Sequence, residues 1–208
     1  MKVYLDAGHG GKDSGAVGLG GRLEKDDCQR LTELVVQKLQ GSGISVILNN
    51  DVTESVYDIV CQSNSENVDL FISIHRNAFM DPNANGLEVW TCTNAREVTK
   101  RNANLVYNKL INVSTMKPRG VKESNFYVLT KTNAPAMLLE IGFVTNFNDN
   151  ILFDQYIDVY AEAIVSGIKE ILGVYKYTVI AGEYTNQVSA ELMLNILKVK
   201  GIEGAYIR

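Results

Sequence analysis

Lys2-Val-Tyr-Leu-Asp-Ala-Gly-His9-Gly-Gly11 is the stretch on which the fold turns. Val3, Tyr4 and Leu5 make a short apolar run of strand-forming residues, and the glycines after it break the run at once. Helical periodicity follows. Cys28, Leu31, Leu34, Val35 and Leu39 recur at i, i+3, i+4, i+7 spacing over about 24 to 40. Working outward, further strand-like runs lie at 44–48, 69–74, 87–91, 125–129 and 136–140, with helical patterns at about 96–112 and 154–172. Strands alternating with helices predict an α/β fold, a mostly parallel sheet with helices on both faces.

The chain holds two histidines, and each closes one of these runs: His9 in the quoted stretch, and His75 in Leu70-Phe-Ile-Ser-Ile-His75-Arg-Asn-Ala78. Ligand sites in α/β sheets collect at strand ends. Two imidazoles held there need one carboxylate to make a His/His/Glu set with a position left for water, a ligand set that suits catalytic zinc. Glu24 is a candidate third ligand. Glu140 ends Ala136-Met-Leu-Leu-Glu140 and precedes Ile141-Gly-Phe-Val, so it is the candidate base. A charge inside such a run is costly to bury without a partner. Taken singly, a histidine is more often a surface or core residue than a ligand, and most glutamates are solvated. The residues alone leave both readings open. Glycine crowds the loop between His9 and Glu24, where close backbone approach and positive φ angles suit a chain turning from one ligand to the next. A phosphate loop is excluded, because GxxxxGK[ST] is absent.

In several segments the chain resembles the zinc-dependent N-acetylmuramoyl-L-alanine amidases of the amidase-3 family. They are Asp6 to Ala16, Leu23-Glu24-Lys25-Asp26, Phe71 to Ala78, Arg119-Gly-Val-Lys122, Asn125-Phe-Tyr-Val-Leu129 and Pro135 to Asn146, in the family's order over residues 1 to about 173. The resemblance implies a twisted, six-stranded sheet wrapped by helices, with zinc bound by His9, Glu24 and His75. It also implies Glu140 as the catalytic glutamate, and hydrolysis of the amide between N-acetylmuramic acid and L-alanine in peptidoglycan. Two positions depart from the family. Arg76 stands where members commonly carry a small residue, and Tyr57 to Asn64 lacks an arginine that many have. These bear on substrate preference and touch no expected ligand. Arg76, Asn77 and Arg119 are candidates for holding peptide carboxylates or sugar oxygens, or are simply surface polar groups. Two other functions compete: a zinc carboxypeptidase or endopeptidase on the stem peptide, and a wall-binding protein without activity. A pure binder has no use for a general base, so Glu140 argues against the second.

A net charge of −4 argues against nucleic acid as a partner. No run approaches the ~20 apolar residues of a membrane span. Three cysteines without a CxxC pair make a cysteine metal site unexpected; Cys28 and Cys61 read as core filler in helices, with thiols kept reduced. Met1-Lys2 leads straight into the first strand, which leaves no room for a signal peptide. The expected localisation is therefore synthesis in the cytoplasm and action on the cell wall after release, as for a phage endolysin or a mother-cell lysin. The tail reads strand (177–184), helix (from an Asn186 cap to Lys198), strand (205–207). It resembles half of a SPOR-type wall-binding module. The expected division is a catalytic domain at 1–173 and a small βαβ unit at 174–208. A lone βαβ half of that module would leave strand edges unpaired, which predicts a homodimer through 175–208.

Overall fold

Six strands form one sheet in the order β2-β1-β3-β6-β4-β5. They are β1 (Lys2–Ala7), β2 (Ser45–Asn49), β3 (Leu70–Asn77), β4 (Leu87–Thr91), β5 (Pro118–Glu123) and β6 (Ala136–Phe143). β2, β1, β3 and β6 run parallel, and β4 pairs antiparallel with β6 and parallel with β5. The structure is a computed structural model, and it describes residues 1–49, 55–174 and 183–200. The chain divides into two compact units, Met1–Tyr175 and Lys176–Arg208.

Period-two alternation along the strands gives the sheet two different faces. One carries Val3, Leu5, Ile72, Ile74, Leu87, Val89, Met137, Leu139 and Ile141. Against it pack α1 (Glu24–Leu39), α3 (Glu97–Val113) and α5 (Phe147–Ile171), which supply Leu31, Val35, Val106, Leu110, Ile164 and Ile168 to the larger core. The other face carries Tyr4, Phe71, Ala136 and Leu138, covered by Ile59 and Val60 of α2 (Val56–Ser65) and by Val128 and Leu129 of α4 (Tyr127–Lys131). This smaller core stops short of the C-terminal ends of the parallel strands. There the same face turns polar, with Asp6, Ser73, His75 and Glu140 following in alternate positions.

Two elements differ from the sequence expectation. Asn125 to Leu129 is not a strand: Tyr127–Lys131 is a short helix, laid across the sheet so that Val128 and Leu129 are buried. Its aromatic and β-branched residues fit a strand by propensity, and packing overrides the propensity. The sixth strand is instead Pro118–Glu123, an edge strand with no fully buried residue, whose Pro118, Gly120 and charges mask the pattern. α5 also begins seven residues before the expected 154, because the Asn146 side chain caps it by accepting from Asp149 N at 3.0 Å. Cys28 is buried as expected, whereas Cys61 lies on the exposed side of α2.

In the tail unit, α6 (Gln187–Val199) is capped by Asn186, whose Oδ1 accepts from Ser189 N at 2.9 Å. Both expected tail strands lie outside the described residues, except for Glu183 and Tyr184, which belong to no strand or helix. Among the described residues no helix is long and apolar enough to cross a membrane.

Candidate metal centre and active site

His75 follows the buried apolar run of β3, and register places Glu140 of β6 directly beside it. Both side chains stand on the face covered by α2 and α4, because each follows its strand's apolar residues at period two. Glu24 is the first residue of α1. Its carboxylate comes to the same place because the glycine loop returns there: Glu24 N donates to Ala16 O at 3.0 Å, and Ala16 N to Glu24 Oε2 at 2.9 Å. The other carboxylate oxygen accepts from Arg76 N at 3.1 Å and sits 3.0 Å from His75 Nδ1. His9 completes the group, with Nε2 3.1 Å from Glu24 Oε2. The two imidazole rings meet edge to face, 4.9 Å between centroids.

The loop is built around these rings. A Cβ at Gly8 would fall 2.3 Å from the His75 ring, and one at Gly15, where φ is +61°, would fall 2.5 Å from the His9 ring. His9 itself holds a left-handed backbone, with φ 65°. A non-glycine residue in that region costs energy, and such strain collects at functional sites. Asp13 fixes the ring from behind, with Oδ2 2.9 Å from His9 Nδ1. That contact leaves Nε2 to face Glu24.

His9, Glu24 and His75 each offer one ligand atom, and these atoms lie within 4.8 Å of one another. Two nitrogens and one carboxylate oxygen at this spacing fit a divalent metal. Without one, the two imidazoles hold protons against the ionised Glu24 carboxylate instead. The hydrogen bond to Glu24 pushes His9 up to about 9 against the opposing effect of burial. Burial works to raise Glu24, but the hydrogen bonds from His75 and His9 outweigh it and hold the carboxylate well below its ordinary range. Glu140 is different. Burial pushes it up to about 8, with Glu24 and Glu88 adding repulsion and the histidines opposing. Its Oε2 is buried and has no hydrogen-bond partner among the described residues. A cleft of about 440 Å³ opens over this group, lined among others by His9, His75, Glu140, Asn49, Phe126 and Tyr127.

A strand-end His/Glu/His cluster with an unpartnered glutamate beside it is thus on the same sheet face as the cleft. The model of the N-acetylmuramoyl-L-alanine amidase family matches residues 3–170. The chain belongs to that family. Among curated relatives it is 36% identical over 170 residues to the N-acetylmuramoyl-L-alanine amidase LytC of Bacillus subtilis (strain 168), matching 79% of this chain and 34% of that one. It is 33% identical over 184 residues to the endolysin of Bacillus phage SPP1, matching 84% of this chain and 67% of that one. Among solved structures, the amidase AmiC2 of Nostoc punctiforme superposes with a TM-score of 0.77 at 37% identity, over 83% of this chain and 97% of that one. An amidase from Clostridium difficile 630 gives 0.79 at 33% identity over the same shares.

The structure treats the three residues expected at the substrate differently from one another. Arg76 is 1% exposed and faces the opposite side of the sheet. Its guanidinium pairs with Asp27, donates to Asn150 Oδ1 at 2.8 Å and lies 4.1 Å above the Phe153 ring. The substrate role expected for it is corrected. A residue adjacent to His75 in a strand must point away from His75's side, and here that side is the α1/α5 core. Asn77 and Arg119 remain near the site but are turned toward Glu88, which accepts from Asn77 Nδ2 at 2.8 Å and from Arg119 Nε at 2.5 Å. Glu88 was missed by the sequence reading. It sits in Leu87-Glu-Val-Trp-Thr91, a charge inside an apolar strand, which is the same signal that picked out Glu140.

Proposed function

We propose that this chain hydrolyses the amide between N-acetylmuramic acid and L-alanine in peptidoglycan, using a zinc ion held by His9, Glu24 and His75, with Glu140 as general base. The observation that carries the reading is Glu140 Oε2: a buried carboxylate oxygen without a partner among the described residues, on the strand position beside His75. A bound zinc would supply Lewis acidity, polarising the scissile carbonyl and lowering the pKa of water toward about 7. The chain's own residues do the rest. Glu140 takes the proton of the attacking water and returns it to the leaving L-alanine nitrogen. Its free oxygen needs no bond broken before it can act. Asp13 holds the His9 ring, and Glu24 is fixed by two backbone N–H groups, so the ligand set is oriented before any metal arrives. Neither histidine is left to activate a serine or cysteine, so direct attack by water fits better than a covalent intermediate.

The test is digestion of purified peptidoglycan by the zinc-loaded chain, with the new end groups identified. L-alanine amino termini support the proposal. Other termini would indicate a stem-peptide peptidase, and none would indicate a binder. The relatives include a phage endolysin and cell-wall amidases, which supports action on the wall after release from the cell.

For residues 174–208 the proposed role is wall binding, self-association, or both. On α6, Val188, Leu192, Ile196 and Val199 are exposed and follow one another at helical spacing. An apolar stripe of this kind suits a second copy of the tail. Light scattering on the whole chain and on one ending at Gly173 tests it: a dimer that becomes a monomer on truncation supports it, and two monomers reject it.

A further inference from the structure

Glu88 lies on β4 directly across from Glu140 and is 1% exposed. Its carboxylate is filled by four donors: Asn77 Nδ2 at 2.8 Å and Trp90 Nε1 at 3.1 Å on Oε1, and Arg119 Nε and Lys122 Nζ, each at 2.5 Å, on Oε2. Burial raises its pKa, but the bonds from Lys122 and Arg119 more than offset this and keep it ionised. Burying a charge is expensive, and the four donors answer that expense. What they organise is not buried. The side chains of Arg119 and Lys122 stay 28% and 33% exposed. Among the described residues, Arg119 spends only Nε on Glu88 and one Nη1 bond on Asn85 O at 3.3 Å, and Lys122 spends one N–H on Glu88. A guanidinium and an ammonium carry eight N–H donors between them, so most remain available.

Two cations thus share one carboxylate oxygen, which holds them close together with a net positive charge. Arg119 lies over the Phe143 ring at 4.9 Å and Lys122 over the Trp90 ring at 5.2 Å, which limits where each can swing. Trp90 meets Phe126 edge to face at 5.5 Å, and Phe126 lines the cleft in which Glu140 sits. The cationic pair and the cleft therefore belong to one continuous stretch of sheet face.

We propose that Arg119 and Lys122 form a subsite for a carboxylate of the substrate, and that Glu88 is the residue that positions them. The identity of the substrate rests on the amidase reading. Where the peptide beyond L-alanine presents a carboxylate, the subsite selects the free acid over the corresponding carboxamide. Lys122 and Glu88 act here as a unit with Arg119, which alone would be a flexible surface cation. A planar guanidinium beside an ammonium matches a carboxylate in shape and charge, whereas a carboxamide adds an N–H that meets only donors.

The test measures binding of two muramoyl peptides, identical except for that carboxylate or carboxamide, to the zinc-loaded full chain carrying Glu140→Gln so that neither is cleaved. The free acid should bind about tenfold tighter, as expected for one charge-assisted contact. Arg119→Gln and Lys122→Gln should each bring the ratio toward one. Glu88→Gln should do the same with zinc content intact. Should Glu88→Gln fail to fold, the two surface variants still decide the matter. A ratio near one in the parent, or an unchanged ratio in both surface variants, overturns the proposal. Cleavage by the unmodified chain is read separately. L-alanine termini without any acid preference would remove the subsite and keep the amidase reading. An acid preference without L-alanine termini would do the reverse.

Discussion

His75 and Arg76 are neighbours on β3, and their side chains enter two charged clusters on opposite sides of the sheet. Around Arg76 the charges are sealed. Asp27 receives Arg76 and Arg22, Asp154 receives Arg22 and Arg30, and Phe153 lies beneath three guanidinium groups. Around His75 the accounts are left open. Two imidazoles crowd one carboxylate, His9 is held in a left-handed backbone, and Glu140 Oε2 has no partner among the described residues. Native structures satisfy nearly all buried polar groups, so an exception calls for a reason. The difference between the two clusters teaches that charge alone marks neither function nor fold. The sealed cluster ties α1 and α5 to the sheet, and the unsatisfied one keeps room for a ligand and a proton.

The strongest way to break this contrast is His75→Ala. It should remove bound zinc and reduce amide hydrolysis to background, read by metal analysis and by L-alanine termini released from peptidoglycan. A variant that kept both would remove His75 from the centre. Next in size is Arg76→Ala. Removing one partner of a buried pair costs roughly 3–5 kcal/mol, and the surviving Arg22 bond to Asp27 points to the lower end. Urea unfolding should show that loss, while the folded variant still binds zinc, because Glu24 is held by the Arg76 backbone rather than its side chain. Zinc loss without destabilisation would reverse the roles of the two clusters.

The smallest effect concerns pH in the metal-free protein. His9, raised to about 9 chiefly by Glu24, lies above its ordinary 6.5. A raised histidine contributes stability in full below about pH 6.5, and that contribution is lost as pH climbs through 9. Glu140, raised to about 8 by burial, adds a loss of the same sign as it ionises. On the other side of the sheet, Asp154 is held down to about 2 by its arginines and Arg76 is drawn by burial to about 10, so neither of these two titrates in this window. The urea midpoint of metal-free protein should therefore fall between pH 6 and 9. Added zinc should bind more tightly over the same interval, since it displaces those protons. A flat midpoint would show that the histidines are not protonated against Glu24.

Much of this was legible in the sequence for a simple reason. Buried parallel strands read as apolar runs, and His75 and Glu140 each end one, so their meeting follows from register. Glu24 was a candidate from the residues and was singled out by the family motif, because the loop that returns it depends on backbone bonds from Ala16 and Arg76 that leave no side-chain pattern. Arg76 was misread although period two argues against its placement at the substrate. The edge strand Pro118–Glu123 and the helix Tyr127–Lys131 were hidden because neither has a clean period: one is half exposed throughout, and the other is too short to repeat. Glu88 was visible as a charge in a strand, but its four partners come from β3, β4 and β5 and exist only once the sheet is assembled.

The central claim is that Glu140 moves the proton while His9, Glu24 and His75 hold the metal, and Glu140→Gln separates the two roles directly. Zinc content and the release of L-alanine amino termini from purified peptidoglycan should be measured on one preparation of this variant beside the unmodified chain. The account predicts one zinc per chain in both, with turnover in the variant lower by at least roughly 10²–10⁴-fold, since a carboxamide cannot carry the proton. A variant that hydrolyses at a near-normal rate, or one that has lost its zinc, would contradict it.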